Sequence, residues 1–145
     1  MKAIDSNILV YAHRRESPWH EGAYRVLQEL ANGSGQWAIP WPCLYEFYAV
    51  VTHPRVYTPP STATEAIVQI EEWLSSPSVV LLAESESTWK SLRALLADSV
   101  IAGPRVHDAK IANLCIENGI DELLTADRDF SRFPRLKTRN PLIPR

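Results

Sequence analysis

Residues 2–13 read KAIDSNILVYAH. Lys2–Asp5 is a short apolar entry that ends on a carboxylate, and it reads as a strand. Asn7–His13 continues with helical periodicity, and either Asp5 or Ser6 can cap its first turn. A strand that runs straight into a helix is the opening of a βα unit. Whether the chain is built from such units depends on the residues downstream.

The alternation is repeated. After Pro18, Ala23, Val26, Leu27 and Leu30 fall at i, i+3, i+4 and i+7, so His20–Ala31 is an amphipathic helix. Gln36–Ile39 is a second short strand. Pro42 is expected at the first position of the next helix, whose stripe is Leu44, Phe47, Tyr48 and Val51. Ala63–Leu74 is a helix with Ile67, Ile70 and Leu74 facing inward. Val79–Ala83 (VVLLA) is an unbroken apolar run, suited to a strand buried on both faces of a parallel sheet. Ser87–Ala97 and His107–Glu117 are helices, the second stopped by Gly119, and Glu122–Ala126 (ELLTA) is the last clear strand. The tail beyond it has little periodicity. Strands separated by helical stretches of this length imply an α/β protein. The expected architecture is a three-layer α/β/α sandwich with a mostly parallel central sheet, residues 1–145 forming one domain.

Composition narrows the function classes. The chain has 145 residues, 46% of them hydrophobic, and seventeen acids against fifteen bases give a net charge of -2. A strongly basic nucleic-acid-binding domain is excluded. The two cysteines, Cys43 and Cys115, lie in apolar stretches, which reads as reduced and buried rather than as a disulfide framework. Asp5 interrupts the place where a secretory leader would become apolar. The longest uncharged run, Leu30–Tyr45, contains Gly33, Gly35, Pro40 and Pro42, unlike a membrane span of roughly 20 apolar residues. A cytoplasmic protein with no membrane contact is expected.

Four acids stand out by position. In open α/β sheets, ligands bind beyond the carboxyl ends of the strands. Asp5 closes the first strand, and Asp127 follows the last in LLTADRDF. Glu46 is the only charge in WPCLYEFYAVV, a helix apolar nearly all round. Asp108 has Ile111, Ala112 and Cys115 at i+3, i+4 and i+7, so its side chain belongs to the buried face of its helix. Each acid has a plainer role as a cap, turn residue or helix-dipole partner. Four inward-facing carboxylates would nevertheless repel, each pair at 4 Å by about 1 kcal/mol in water and about 4 at an effective dielectric of 20. A hard divalent cation, Mg²⁺ or Mn²⁺, resolves the conflict. The scattered His13, His20, His53 and His107 offer no zinc-type spacing. Carboxylates with such cations are well suited to in-line attack on a phosphodiester.

On IDSNILVYA, the Glu46 helix, RVHDAKIA and TADRDF, the chain resembles the PIN-domain ribonucleases, most closely the VapC toxins of toxin–antitoxin pairs. The resemblance implies a parallel-sheet α/β/α fold and Mg²⁺- or Mn²⁺-dependent endoribonuclease activity. It makes Asp5, Glu46, Asp108 and Asp127 an acidic quartet. Asp5 and Asp108 would be the firmest metal ligands, Asp127 would complete the site directly or through water, and Glu46 would orient the attacking water or hold a second metal. Asn7 matches a position that hydrogen-bonds an acidic neighbour, and Thr125 matches a hydroxyl two residues before the last acid. Asp129 is an auxiliary acid or, more plainly, a helix cap before Phe130. The resemblance also implies homodimers and a VapB-type antitoxin whose basic or aromatic side chain blocks the pocket.

An acidic centre needs cations around it to hold RNA. Arg14 and Arg15 follow the first helix, Arg105 and Lys110 bracket Asp108, and Arg128 opens a basic tail. Each is also an ordinary surface charge. Tyr11 and Trp41 offer rings for stacking, with packing as their plainer fate. An aspartyl-phosphate enzyme would want a second Asp where Asn7 stands, and no G-x-G-x-x-G follows the first strand. The remaining alternative is a non-catalytic RNA- or protein-binding module on the same scaffold. Without the quartet, thirteen acids face fifteen bases, a slightly basic shell around an acidic pocket.

Overall fold

The computed structural model describes residues 1–144. Its strands are β1 (Lys2–Ile4), β2 (Trp37–Pro40), β3 (Val79–Leu82), β4 (Glu122–Leu124) and β5 (Thr138–Arg139). They form one sheet in the order β3-β2-β1-β4-β5, and every pairing is parallel. The helices are α1 (Ser6–His13), α2 (His20–Asn32), α3 (Trp41–Val51), α4 (Ala63–Leu74), α5 (Thr88–Asp98) and α6 (Val106–Glu117). The sheet is flanked by these six helices, as expected for an α/β/α protein. Central strands covered on both faces must be apolar. Ala3, Ile4, Ala38, Ile39 and Leu123 are accordingly without solvent exposure.

The strand order decides where a site can form. β1 lies in the middle, between β2 and β4, so the chain reverses its direction of travel across the sheet there. Asp5 leaves β1 at its carboxyl end, and its backbone N–H still bonds the Leu124 carbonyl at 3.0 Å. Its side chain then accepts from the Ser6 N–H, so Asp5 is the N-cap of α1. One residue thus ends the strand, starts the helix and places a carboxylate at the switch point.

Four expectations about local structure need correction. Val79–Ala83 is not buried on both faces: β3 is an edge strand, with Val79, Val80 and Leu81 half-buried and Ala83 exposed. An apolar run does not distinguish a central strand from an edge strand with one well-covered face. In α4, Ile67 and Leu74 are exposed, and Ala66, Ile70 and Trp73 form the inward stripe. The Trp73 ring meets Phe47 edge-on at 4.8 Å, and this large contact sets the helix rotation. Pro42 is the second residue of α3, because Trp41 takes the first. The tail is ordered by Phe130, Phe133 and Leu136, buried at three-residue intervals, and ends in the unforeseen strand β5. Glu122 is buried beneath it and accepts from Arg139 Nε at 3.0 Å.

The C-terminus of α5 carries a strained residue. Val100 has φ 51°, in the left-handed region that disfavours a β-branched side chain, and it is 85% exposed. The Ile101 N–H reaches back to the Leu96 carbonyl, the bond pattern for which glycine is preferred at this position. Left-handed geometry costs an L-residue roughly 1–2 kcal/mol, offset by up to about 1 kcal/mol for the added freedom of glycine in the unfolded chain. Val100→Gly is therefore expected to stabilise by about 0.5–1 kcal/mol, measured by urea denaturation at unchanged m-value.

Candidate active site

Asp5 is the most enclosed acid, 3% exposed. Thr125 Oγ donates to its Oδ2 at 2.7 Å, and Asn7 Nδ2 donates to the same oxygen at 3.3 Å. Its Oδ1 accepts from the Ser6 N–H at 2.7 Å and from the Cys43 thiol at 3.5 Å. Burial pushes the Asp5 carboxyl above its usual range, and the nearby Asp127 adds to this, while the bonds from Thr125, Ser6 and Cys43 pull the other way.

Asn7 and Thr125 lock the two central strand ends together. Asn7 Nδ2 donates to Thr125 Oγ at 3.1 Å, and Asn7 Oδ1 accepts the Ala126 N–H at 3.1 Å. The Asp127 N–H donates to Thr125 Oγ at 3.0 Å. A buried network whose members are satisfied this way fixes side-chain positions. The turn that carries Asp127 is therefore held against the residue that carries Asp5.

Glu46 comes from α3, where it is the only charged residue among eleven. Ser6 Oγ donates to its Oε2 at 2.8 Å. Burial raises the Glu46 carboxyl, Ser6 opposes this, and the Asp5 and Asp108 charges raise it further. Asp108 lies in the first turn of α6 and is half-buried. Burial raises its carboxyl too, followed by repulsion from Asp127, Asp5 and Asp129, against attraction from Arg105. All four acids of the expected quartet thus gather at the carboxyl edge of the sheet.

The tightest grouping within this edge differs from expectation. Carboxylate oxygens of Asp108, Asp127 and Asp129 lie within 4.8 Å of one another, without Asp5 or Glu46. Asp129 is not the cap before Phe130: Asp127 caps the 3-10 turn Arg128–Arg132 by accepting the Asp129 N–H at 2.8 Å. That bond leaves the Asp129 carboxylate free to face the other acids, and Arg105 lies 3.5 Å from it. The donors are hard carboxylate oxygens, a set that fits Mg²⁺ or Mn²⁺.

Residues 2–136 match the PIN domain. Ribonuclease VapC43 of Mycobacterium tuberculosis is 36% identical to this chain over 142 residues, 98% of this chain and 96% of that relative. The chain belongs to the PIN-domain family, in its VapC group. Ribonuclease VapC48 of the same organism is 30% identical over 140 residues, covering 97% of each. Among solved structures, this PIN domain shares its fold with VapBC2 from Rickettsia felis bound to a DNA fragment from its promoter. The TM-score is 0.66 at 22% identity, over 95% of this chain and 96% of that one. It also matches Mycobacterium tuberculosis VapC20, a toxin that cleaves the sarcin–ricin loop, with TM-score 0.68 at 15% identity over 90% and 93%.

The basic residues of this PIN domain divide by their contacts. Arg14 does not flank the acidic centre: it pairs with Glu16, bonds Ser61 Oγ and the Pro59 carbonyl, and lies 4.3 Å over the Tyr57 ring. It pins the loop before α4. Arg105 is directed to Asp129, whereas Arg15 and Arg128 are exposed. Lys110 is half-buried on α6, two residues beyond Asp108.

Two residues at the centre carry roles that the sequence did not indicate. Ser6 was visible only as a cap, yet its hydroxyl holds Glu46. Cys43 was visible only as a buried thiol, yet it touches Asp5. The signal was the spacing of Cys43 and Glu46, three residues apart on one helix face. Burial keeps both thiols protonated: Cys43 is raised well above the usual thiol range, and Cys115 is pushed up to about 12. Both are free and buried, so neither is a redox or nucleophilic group.

Proposed function

We propose that this chain is an Mg²⁺- or Mn²⁺-dependent endoribonuclease, the toxin of a VapBC-type toxin–antitoxin pair, acting as a single PIN-like domain over residues 1–145. The observation that carries the reading is the convergence of the Asp108, Asp127 and Asp129 carboxylates within 4.8 Å beside Asp5 and Glu46. A hard divalent cation would relieve the repulsion among them. The relatives named ribonucleases over nearly the whole chain support it. A binding module would need Asp5 only as the cap of α1 and would leave the gathering of Glu46, Asp108 and Asp127 around it unused.

Asp5, Asp108 and Asp127 are the proposed ligands, with Asp129 assisting from the rim. A bound cation supplies Lewis acidity at the phosphodiester and acidifies nearby water. The chain's own residues do the positioning. Thr125 and Asn7 hold Asp5 in one rotamer, so no side-chain entropy is spent at the moment of reaction. Ser6 Oγ holds Glu46 in place, where its carboxylate would orient the attacking water or hold a second cation. Arg105 offsets the surplus charge of Asp129.

The proposed partners are RNA, a VapB-type antitoxin and a second copy of the chain, in the cytoplasm. α4 exposes Ile67 and Val68, beside a cavity of about 200 Å³ between α1, α2 and α4. Such a surface suits the apolar segment of an antitoxin. Among the described residues, no helix is long and apolar enough to cross a membrane.

The test is cleavage of total cellular RNA by the purified, antitoxin-free chain. Discrete fragments are expected with Mg²⁺ or Mn²⁺ and none with EDTA. Intact RNA under all three conditions would overturn the reading.

A further inference from the structure

A cavity of about 340 Å³ lies at the carboxyl ends of β2 and β3, lined by Trp41, Pro42, Tyr45, Ala83, Glu84 and Lys110. Its size falls in the range of roughly 300–1,000 Å³ typical of small-molecule sites. The hydrogen-bond network of the acidic centre makes no use of its lining. We propose that it is a nucleobase subsite that selects guanine on the RNA strand entering the acidic centre, a proposal that rests on the ribonuclease reading.

Position is the first support. The cavity is built on the same two helices as the centre: α3 carries both Tyr45 and Glu46, and α6 carries both Lys110 and Asp108. β3 is two strands from β1, and at a strand spacing of about 4.8 Å its end lies about 10 Å from the end of β1. An extended strand covers that distance in one or two nucleotides.

The chemistry of the lining is the second. Trp41 and Tyr45, one helical turn apart, stack with centroids 6.1 Å apart and planes 24° apart. Tyr45 is 66% exposed, so its ring is open to solvent. Aromatic rings open to solvent beside a basic group are the platform on which single-stranded bases stack. Lys110 supplies the cation for the adjoining phosphate. Glu84 supplies acceptors only.

That last property discriminates among bases. Guanine offers two adjacent donors, N1–H and the N2 amino group, which a carboxylate accepts together. Adenine and cytosine each place an acceptor nitrogen next to their amino group. Uracil flanks its single N–H with two carbonyls. A carboxylate therefore attracts the guanine edge and repels a lone pair on each of the other three.

The experiment uses the intact chain in EDTA, so that binding is read without cleavage. Guanosine, adenosine, cytidine and uridine 5′-monophosphates are titrated against tryptophan fluorescence. Guanosine monophosphate is expected to bind at least about tenfold more tightly than the other three, the discrimination of one bidentate contact. Glu84→Gln should remove that preference, and Tyr45→Ala should weaken all four nucleotides alike, by about 5- to 100-fold. Equal binding of the four by the unmodified chain, or a guanine preference that survives Glu84→Gln, would overturn the proposal. So would a Tyr45→Ala chain that changes its mass by light scattering but binds nucleotides unchanged, because the surface then belongs to a second copy. Guanine-selective binding in a chain that cuts no RNA would remove the enzyme reading and leave the subsite standing. Cleavage without guanine selectivity would do the reverse.

Discussion

Asp108→Asn is expected to lower RNA cleavage by more than about 100-fold, the upper figure for substitutions one shell further out, and to leave the chain at least as thermostable as before. The two effects have one cause. Asp108 faces Asp127 and Asp129 within 4.8 Å, and its raised carboxyl reflects burial together with their repulsion. An amide of the same shape removes a charge that the apo fold resists and one of the proposed cation ligands. Activity and stability should therefore move in opposite directions, which a damaged fold does not do. kcat/KM on a short RNA and the melting temperature in EDTA measure the pair. Asp5→Asn would lose activity too, but less cleanly. Its Oδ2 accepts from both Thr125 and Asn7, and an amide nitrogen there would leave these donors unmatched at a cost of about 1–3 kcal/mol.

Without divalent cations, the chain should become more stable as the pH is lowered from neutrality toward the ordinary carboxyl range near 4. Asp5, Glu46 and Asp108 all have raised carboxyls, first through burial and further through neighbouring acids: Asp127 for Asp5, Asp5 and Asp108 for Glu46, and Asp127, Asp5 and Asp129 for Asp108. A raised carboxyl means that the folded state binds protons more tightly than the unfolded state. Its contribution is complete below the ordinary value and is lost as the pH rises through the raised value. Glu16, Glu65 and Asp121 are lowered and act in the opposite sense below about pH 4, but they are exposed and solvent weakens their effect. Mn²⁺ at 100 times its dissociation constant should add about 2.7 kcal/mol, a rise of roughly 5–11 °C in melting temperature for a chain of this size. That gain should shrink at low pH, where protons compete for the same oxygens. Calorimetric scans across pH with and without Mn²⁺ read both trends. An apo chain that loses stability steadily below pH 7, or a melting temperature indifferent to Mn²⁺, would contradict this electrostatic picture.

Features set by local forces were the ones legible in the sequence. The β1–α1 junction was legible because strand ending, helix capping and acid placement all fall within Ile4–Asn7. Glu46 and Asp108 were legible as charges on otherwise apolar helix faces. The inward face of α4 was not, because Trp73 chooses Phe47 as its neighbour, and that contact is long-range. β3 looked buried on both faces because an apolar run does not record how well each face of an edge strand is covered. At the site, Asn7 and Thr125 were matched by resemblance, but their joint hold on Asp5 and on the Asp127 turn spans 118 residues of chain. The cap reading of Asp129 failed because Asp127, two residues earlier, had already taken that role. Arg14 looked like a rim charge because nothing nearby in sequence announces Tyr57 or Ser61 as its partners.

The proposed acidic centre would hold a divalent cation and make water, not the 2′-hydroxyl, the nucleophile at the RNA phosphodiester. The most direct measurement is the chemistry of the cut ends. A defined RNA is digested in Mn²⁺, and the 3′ ends are examined by mass spectrometry, beside a control with a single 2′-deoxy residue at the cut. Attack by water predicts ends free of 2′,3′-cyclic phosphate and continued cleavage of the deoxy control. Cyclic phosphate ends, or a control that resists cutting, would place the 2′-hydroxyl as nucleophile and contradict a carboxylate-centred hydrolase.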